Sequence, residues 1–253
     1  MDQFKKVKSG KVSELISQQI KSAILNGRMK AGDKLPPERE LVDQFQASRN
    51  SVREAINTLE TSGLLIIKHG SGVFVAEVNS RPMSEPLYSF LRMKKTTLNE
   101  LTEARIILEP NIARIACERM TPEDLLKLEH NIEETSQTMK SKSPALVSAK
   151  NIEFHSLIAE ATHNAVISLT MKTLYDVVKE MTIEITDDLT KRKRISSRAT
   201  DYHKKLLKAF REKNPQMTHE LMLKHVRVIQ QRFNQIIADR TKEGINKFQK
   251  RKE

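Results

Sequence analysis

A mainly α protein in two parts is what the 253-residue sequence predicts. The first part holds three helices and a β-hairpin; the second is an all-α bundle of six or seven helices. Three observations lead there. Apolar residues recur at three- and four-residue spacing over most of the chain, the period of a helix with one buried face. The β-rich runs "LLIIK" and "VFVAE" are joined by "HGSG", which reads as a hairpin. From Pro82 onward no segment alternates as a strand does. The boundaries that follow are 1–78 for the first part, 79–86 for a linker, 87–240 for the bundle and 241–253 for a basic tail.

The elements can be justified in order. Val12, Leu15, Ile16, Ile20, Ala23 and Ile24 share one face of a first helix. "NGRMKAGDKLPPE" ends it with two glycines and a proline pair. "ERELVDQFQ" is a short second helix. "SRNSVREAINTLETSG" is a third, with Ser48 as N-cap and Gly63 as C-cap. Leu41, Val52, Ile56 and Leu59 are core positions. The linker lies around residues 76–86, where Asn79, Ser80, Arg81 and two prolines cluster. "EPLYSFLRM" precedes six amphipathic segments that begin near Leu98, Pro122, Pro144, Ala165, Ser196 and Pro215. Thr121-Pro122 supplies an N-cap and a first-turn proline. The runs "KRKR" at 191–194 and "KFQKRKE" at the end read as solvated surface or frayed chain.

Composition narrows the partners. Lys and Arg number 44 against 32 Asp and Glu, a formal charge of +12 that favours polyanions. Twelve basic and eight acidic residues fall before residue 76, so the excess is spread along the chain and does not locate a binding face. The single cysteine, Cys117, excludes an internal disulfide and fits a reducing compartment. Its apolar surroundings read as a buried small hydrophobe. No apolar run reaches the roughly 20 residues of a membrane span, and the N-terminus lacks a signal-peptide core. The expectation is a soluble, cytoplasmic chain with no membrane partner.

Three helices followed by a hairpin is the winged helix-turn-helix layout, whose third helix can enter the DNA major groove. Such a helix needs a polar first turn to face bases and phosphates, backed by apolar later turns, as in "SRNSVREAINTLE". A solvent-facing helix with a surface hairpin is the plainer alternative. The order of the pieces argues against it: "KLPPERELVDQFQASRNSVREAINTLETSGLLIIKHGSGVFV" closely resembles the DNA-binding domain of the GntR superfamily of bacterial transcription regulators. The resemblance implies that Arg39 of "PERE" reaches phosphate or base. It implies a recognition turn of Ser48, Arg49, Asn50, Ser51 and Arg53, and a wing tip at His69 and Gly70. Arg49 and Arg53, four apart, share a helix face. Recognition by one such unit covers a short half-site, so a homodimer on a pseudo-palindromic double-stranded operator is expected.

The helical part resembles the FCD effector-binding domain of the FadR-like branch, through "LTEARIILEPNIARIACERM", "NIEFHSLIAEATHN", "DYHKKLLKAF" and "HELMLKHVRVI". Read from spacing, Asn151 and His155 lie one turn apart on one face, while His203 and His225 sit on separate helices. Bundles build metal sites by projecting such side chains inward. Spacing alone leaves three unrelated histidines as the commoner outcome. The resemblance implies instead a metal held by Asn151, His155, His203 and His225. Neutral imidazoles suit a divalent transition metal, zinc first and nickel also. Where the family usually has aspartate this chain has Asn151, which lowers metal affinity and raises the site's attraction for a carboxylate. Arg105 of "TEAR" is implied to face the ligand cavity as counter-charge for a small carboxylate effector; a helix-surface pair with Glu109 is the plainer alternative. His130, His163 and His219 match no ligand position.

The expected protein is therefore a ligand-responsive DNA-binding regulator, of repressor type, for a metabolic operon. A metal-dependent enzyme carrying a winged helix is the runner-up, but neither an "HExxH" motif nor a nucleophile–base motif occurs. An effector-independent DNA-binding protein relying on bulk charge leaves the internal histidines unexplained. No catalytic residue is expected.

Overall fold

A computed structural model describes residues 10–77, 80–140, 144–186 and 196–249. The chain divides into two compact units, Met1–Pro82 and Met83–Glu253.

In the first unit, helices α1 (Gly10–Leu25), α2 (Glu38–Phe45) and α3 (Arg49–Thr61) precede strands β1 (Leu65–Lys68) and β2 (Gly72–Val75). The strands are antiparallel, with Leu65 opposite Val75 and Lys68 opposite Gly72. A third edge, which the sequence did not announce, joins them. Lys34 bridges to Phe74, and the Leu35 and Val75 amides donate across to Val73 and Asp33, each at 2.8 Å. The segment is too short and too polar to show a period. Ile16, Ile20, Leu35, Leu41, Val52, Ile56, Leu59, Leu65 and Val75 are buried together. Removing each large side chain from water contributes roughly 1.5–3 kcal/mol. That core leaves the polar first turn of α3 outside.

The ends of α3 are chemically fixed. Ser48 Oγ accepts the Ser51 amide at 3.1 Å, the N-cap bond expected of it. At the other end Ser62 is the capping residue and Gly63 stands one position beyond, with φ at 74°. Gly63 N–H donates to Glu60 O and Leu64 N–H to Leu59 O, at 2.8 and 2.9 Å. These two bonds are a Schellman closure, which needs the left-handed conformation that glycine adopts without steric cost.

The second unit contains α4 (Arg81–Met93, beginning just before the boundary), α5 (Leu98–Arg119), α6 (Pro122–Lys140) and α7 (Pro144–Glu160). It continues with α8 (Ala165–Thr186), α9 (Ser196–Arg211) and α10 (Pro215–Gln249). Among the described residues this is a bundle without strands. Thr97 and Glu100 form a reciprocal capping box at the start of α5. Thr121 and Asp124 make the same exchange at α6, the Asp124 carboxylate accepting the Thr121 amide at 2.9 Å. Helix α5 runs along α10, and α7 packs between α6 and α8. Phe154, Leu128, Ile158, Leu206, Phe210, Met222 and Val226 are nearly inaccessible and form the main core, with Cys117 buried among them.

Two expectations are corrected. Residues 81–86, read as linker, lie in α4. Pro82 falls in the first turn, where no intrahelical N–H is required, so the proline signal marks a start and not a gap. Helix α10 continues to Gln249, through residues read as tail; good helix formers such as Ala238, Arg240, Lys242 and Glu243 carry it on after the apolar period ends. The "KRKR" run and residues 250–253 lie outside the described residues.

Gly63→Ala tests the α3 closure. A Cβ there would stand 2.1 Å from Pro82 Cγ, in a left-handed backbone. The variant should lose at least about 1–2 kcal/mol of stability in urea denaturation followed on the first unit. A wild-type midpoint would show that this turn constrains nothing.

Candidate nucleic-acid interface and metal centre

In the first unit the polar residues singled out from sequence lie where a surface reader needs them. Arg39, Ser48, Arg49, Asn50, Arg53, His69 and Gly70 are exposed and Ser51 is half-buried. Their environments differ. The Ser48 hydroxyl is committed to the cap and lies 2.9 Å from Ser51 Oγ, so it orders the turn. Arg53 donates to Glu38 of α2 at 3.1 Å, with both side chains substantially exposed. Such a surface pair contributes about 0–1 kcal/mol, which a phosphate or guanine edge can outbid. At the wing, Gly70 has φ 74° and Gly72 φ 114°, conformations that turn the chain tightly and leave the tip without bulk.

In the second unit three helices converge on one point. His155 from α7, His203 from α9 and His225 from α10 are all buried. His203 Nε2 lies 3.2 Å from His225 Nε2, which in turn lies 3.1 Å from His155 Nε2. The ligand atoms of all three fall within 4.8 Å of one another, a set that can hold a metal ion. Phe154 stacks on His203 with centroids 3.8 Å apart and planes at 11°, which fixes that ring. Asn151 sits one turn before His155, and its Oδ1 is buried without a hydrogen-bond partner among the described residues.

The donor set fits a cation for a reason that can be counted in protons. Each neutral imidazole carries one N–H. His225 Nε2 touches both neighbours, yet a single Nε2–H can satisfy only one of the two contacts well. The other contact is left without a proton along it. A divalent cation between them would satisfy all three nitrogens. Burial, reinforced by the neighbouring histidines, holds the His203 and His225 imidazoles well below their ordinary pKa, so both are neutral and able to ligate.

Behind the triad stands a group whose role the sequence left open. Glu109 is 2% exposed, and the sequence had offered it only as a surface partner of Arg105. The pair exists, but it is buried: Arg105 Nε donates to Glu109 Oε1 at 2.5 Å. Glu109 Oε2 lies 2.6 Å from His155 Nδ1, an ion-pair contact, and neither atom makes a well-aligned hydrogen bond among the described residues. The ring of Tyr175 of α8 lies 5.7 Å from the Arg105 guanidinium carbon and 5.8 Å from the His155 ring, and burial beside the Glu109 charge pushes its hydroxyl pKa up. Burial alone would raise the Glu109 carboxyl; Arg105 and His155 outweigh it and hold the group ionised, far below the usual carboxylate range. Arg105 loses some basicity to burial, but Glu109 more than restores it. The pair's i, i+4 spacing was a visible signal, whereas the approach of His155 from 46 residues away was not. Tyr175 and Phe154 had no signal beyond being apolar-face aromatics. The remaining histidines stay apart: His130 and His163 are exposed beside Glu134 and Asp124, and His219 is half-buried.

A winged helix-turn-helix presenting a capped polar turn, with a histidine-centred helical bundle in the same chain, is the arrangement of a DNA-binding transcription regulator. Comparison with known families supports that class. Residues 12–75 match the model described as bacterial regulatory proteins, gntR family, and residues 100–228 match the FCD domain. The chain belongs to the GntR family of bacterial regulators, in its FCD-containing branch. It is 30% identical over 208 residues to the HTH-type transcriptional regulator LutR of Bacillus subtilis, covering 80% of this chain and 92% of that protein. It is 32% identical over 173 residues to the putative L-lactate dehydrogenase operon regulatory protein of Escherichia coli, covering 67% and 66%. Among solved structures, Streptococcus agalactiae GntR superposes with a TM-score of 0.68 at 26% identity, covering 87% of this chain and 99% of that one. Among the described residues no helix is long and apolar enough to cross a membrane.

The buried imidazoles make a pH prediction for metal-free protein. The folded pKa values of His203 and His225 lie below the ordinary 6.5 that the unfolded chain retains. Below about pH 6.5 the unfolded state therefore binds more protons, and stability falls as pH drops. The loss approaches about 1.4 kcal/mol per pH unit for each histidine that remains neutral when folded. The thermal midpoint should be level above about pH 7 and decline toward pH 5. A midpoint unchanged over that interval would contradict the neutral buried pair.

Proposed function

We propose that this chain is a ligand-responsive regulator of a metabolic operon that binds a pseudo-palindromic double-stranded operator as a homodimer. The expected sense is repression: removing the chain should raise expression from the operator it selects. Arg49 and Arg53 read base edges, Asn50 and Ser51 line the same turn, and Ser48 caps it. Arg39 contacts the backbone, and His69 with Gly70 carries the wing tip along it. What supports this is the exposure of that polar turn on an apolar-backed, capped helix. Two similar proteins bear names that tie them to operons, the E. coli regulators of the uxu operon and, as an activator, of the glc operon. The domain division offered is a DNA-binding domain at 1–78 and a helical domain at 87–240, with α4 from Arg81 and α10 to Gln249 taking up most of the residues read as linker and tail. A cytoplasmic location follows from work on DNA.

The helical unit is proposed to hold a divalent transition metal, zinc in first place and nickel as the alternative, on Asn151, His155, His203 and His225. The observation that carries this is the triad of buried Nε2 atoms at 3.1 and 3.2 Å. When bound, the cation supplies Lewis acidity and positive charge for an anionic oxygen. Asn151 adds no negative charge, and the Glu109 charge is offset by Arg105, so the site stays electropositive and favours a small carboxylate effector. An effector carboxylate that reaches Arg105 shares that guanidinium with Glu109. Regulation requires the effector to bind the DNA-competent and incompetent arrangements with different affinity.

Two measurements test the reading. Selection from random DNA should return a two-fold symmetric site, and Arg49→Ala should weaken it by about 1–3 kcal/mol while relaxing base preference. Absence of any preference over bulk DNA would end the regulator reading. Elemental analysis of protein purified without chelator or metal-affinity resin should find about one metal per chain, lost in His203→Ala while DNA binding persists. Metal-free wild type that takes up neither zinc nor nickel would remove the metal.

A further inference from the structure

We infer that Glu109 is a positioning residue that sets the tautomer of His155, and that Arg105 acts through Glu109 and not only on an incoming ligand. This rests on the reading that the triad holds a metal. The argument starts from donors and acceptors. An ionised carboxylate only accepts. Glu109 is faced by a guanidinium Nε–H at one oxygen and by His155 Nδ1 at the other. Opposite an obligate acceptor, His155 must carry its proton on Nδ1. Its Nε2 is then a bare lone pair, and that atom is the one turned toward His225 and the cluster. The other two ligand histidines lack such a device: Nδ1 of His203 and of His225 is buried with no carboxylate at ion-pair distance among the described residues, unlike Nδ1 of His155.

Arg105 completes the arrangement. A carboxylate 2% exposed would not stay ionised unaided, and its partner at i, i+4 on α5 is as deeply buried as itself. Because both sit on one helix, the charge pair is assembled locally and presented to α7 as a unit. Tyr175 closes the remaining side and places its ring 5.7 Å from the Arg105 guanidinium carbon. Partners of this kind raise ligand basicity and fix ring orientation, and their loss typically lowers metal affinity 10–100-fold.

The substitution Glu109→Gln separates positioning from mere packing, because the amide keeps the shape and swaps one acceptor for a donor. Arginine always carries its Nε proton, so the amide oxygen stays with Arg105 and the NH₂ faces His155. His155 must then accept on Nδ1 and carry its proton on Nε2, which blocks the lone pair. Long-range ¹⁵N–¹H correlation on metal-free full-length protein reads this directly. Wild type should show His155 protonated on Nδ1, and Glu109→Gln should show it protonated on Nε2. Titration with Zn²⁺ alone should find affinity lowered 10–100-fold in the variant, with the DNA-binding unit's thermal transition unmoved. Wild-type His155 protonated on Nε2 would overturn the inference even if the variant failed to fold. So would a variant that binds Zn²⁺ as wild type does with its tautomer unchanged. Wild type that shows the Nδ1–H tautomer but takes up no Zn²⁺ would instead overturn the metal reading and leave the Glu109 contact standing.

Discussion

Three imidazole nitrogens held within 4.8 Å of one another inside a helical core impose a demand that the rest of the second unit is arranged to meet. Unpaired polar atoms in such a place cost roughly 1–3 kcal/mol each, and lone pairs brought together repel. The bundle holds them there through shape: Phe154 covers one face of His203, and Leu206, Phe210, Met222 and Val226 fill the surrounding core. The polar side of the problem is met by one carboxylate. Glu109 faces His155 and is itself faced by Arg105 and Tyr175, so a buried charge is balanced within a few ångströms of its origin. Removing any one of these groups leaves another without its partner, which is why the site behaves as a network and not as a list of ligands.

The same economy shapes the first unit at smaller scale. A recognition helix must expose polar side chains at its N-terminus and still begin there, although its first amides have no intrahelical acceptors. Ser48 resolves the conflict by spending its own hydroxyl on the Ser51 amide, which leaves Arg49 and Asn50 free of structural duty. Gly63 closes the far end in a backbone conformation that only glycine enters readily, turning the chain into the wing. Arg53 is an intermediate case. Its pairing with Glu38 ties α3 to α2, but at an exposure where water already competes for both charges. The helix is thus held by caps and core, and its outward chemistry stays available.

Binding energy and regulation meet in the contrast between these units. The outward-facing turn relies on exposed charges that are weakly held and easily redirected, suited to a partner as large and as charged as DNA. The inward site relies on desolvation, which strengthens every electrostatic interaction inside it. A small anion entering such an environment changes the local charge balance far more than it could at the surface. Asn151, one turn before His155 with its Oδ1 buried and unpartnered among the described residues, adds no negative charge to that balance.

The local parts of this protein were determined by sequence alone, because they depend on periods and short-range chemistry. The apolar spacing of Ile16, Ile20, Val52, Ile56 and Leu59 specified which faces are buried. Ser48 and Thr121 marked helix starts through bonds made three residues away, and "HGSG" marked the hairpin. His155, His203 and His225 could be named from their setting in a family-like pattern, though nothing in their 70-residue span stated that their Nε2 atoms would meet. That meeting was decided by tertiary packing, as were the short Asp33–Leu35 edge of the sheet and the helical start at Arg81, where proline signals were ambiguous. Arg105 shows the division most clearly. Its i, i+4 relation to Glu109 was legible, but whether the pair lay on the surface or in the core was not. Burial is a property of what the other helices cover, and it was α7 and α8, delivering His155 and Tyr175, that turned an ordinary helical ion pair into the charged support of the site.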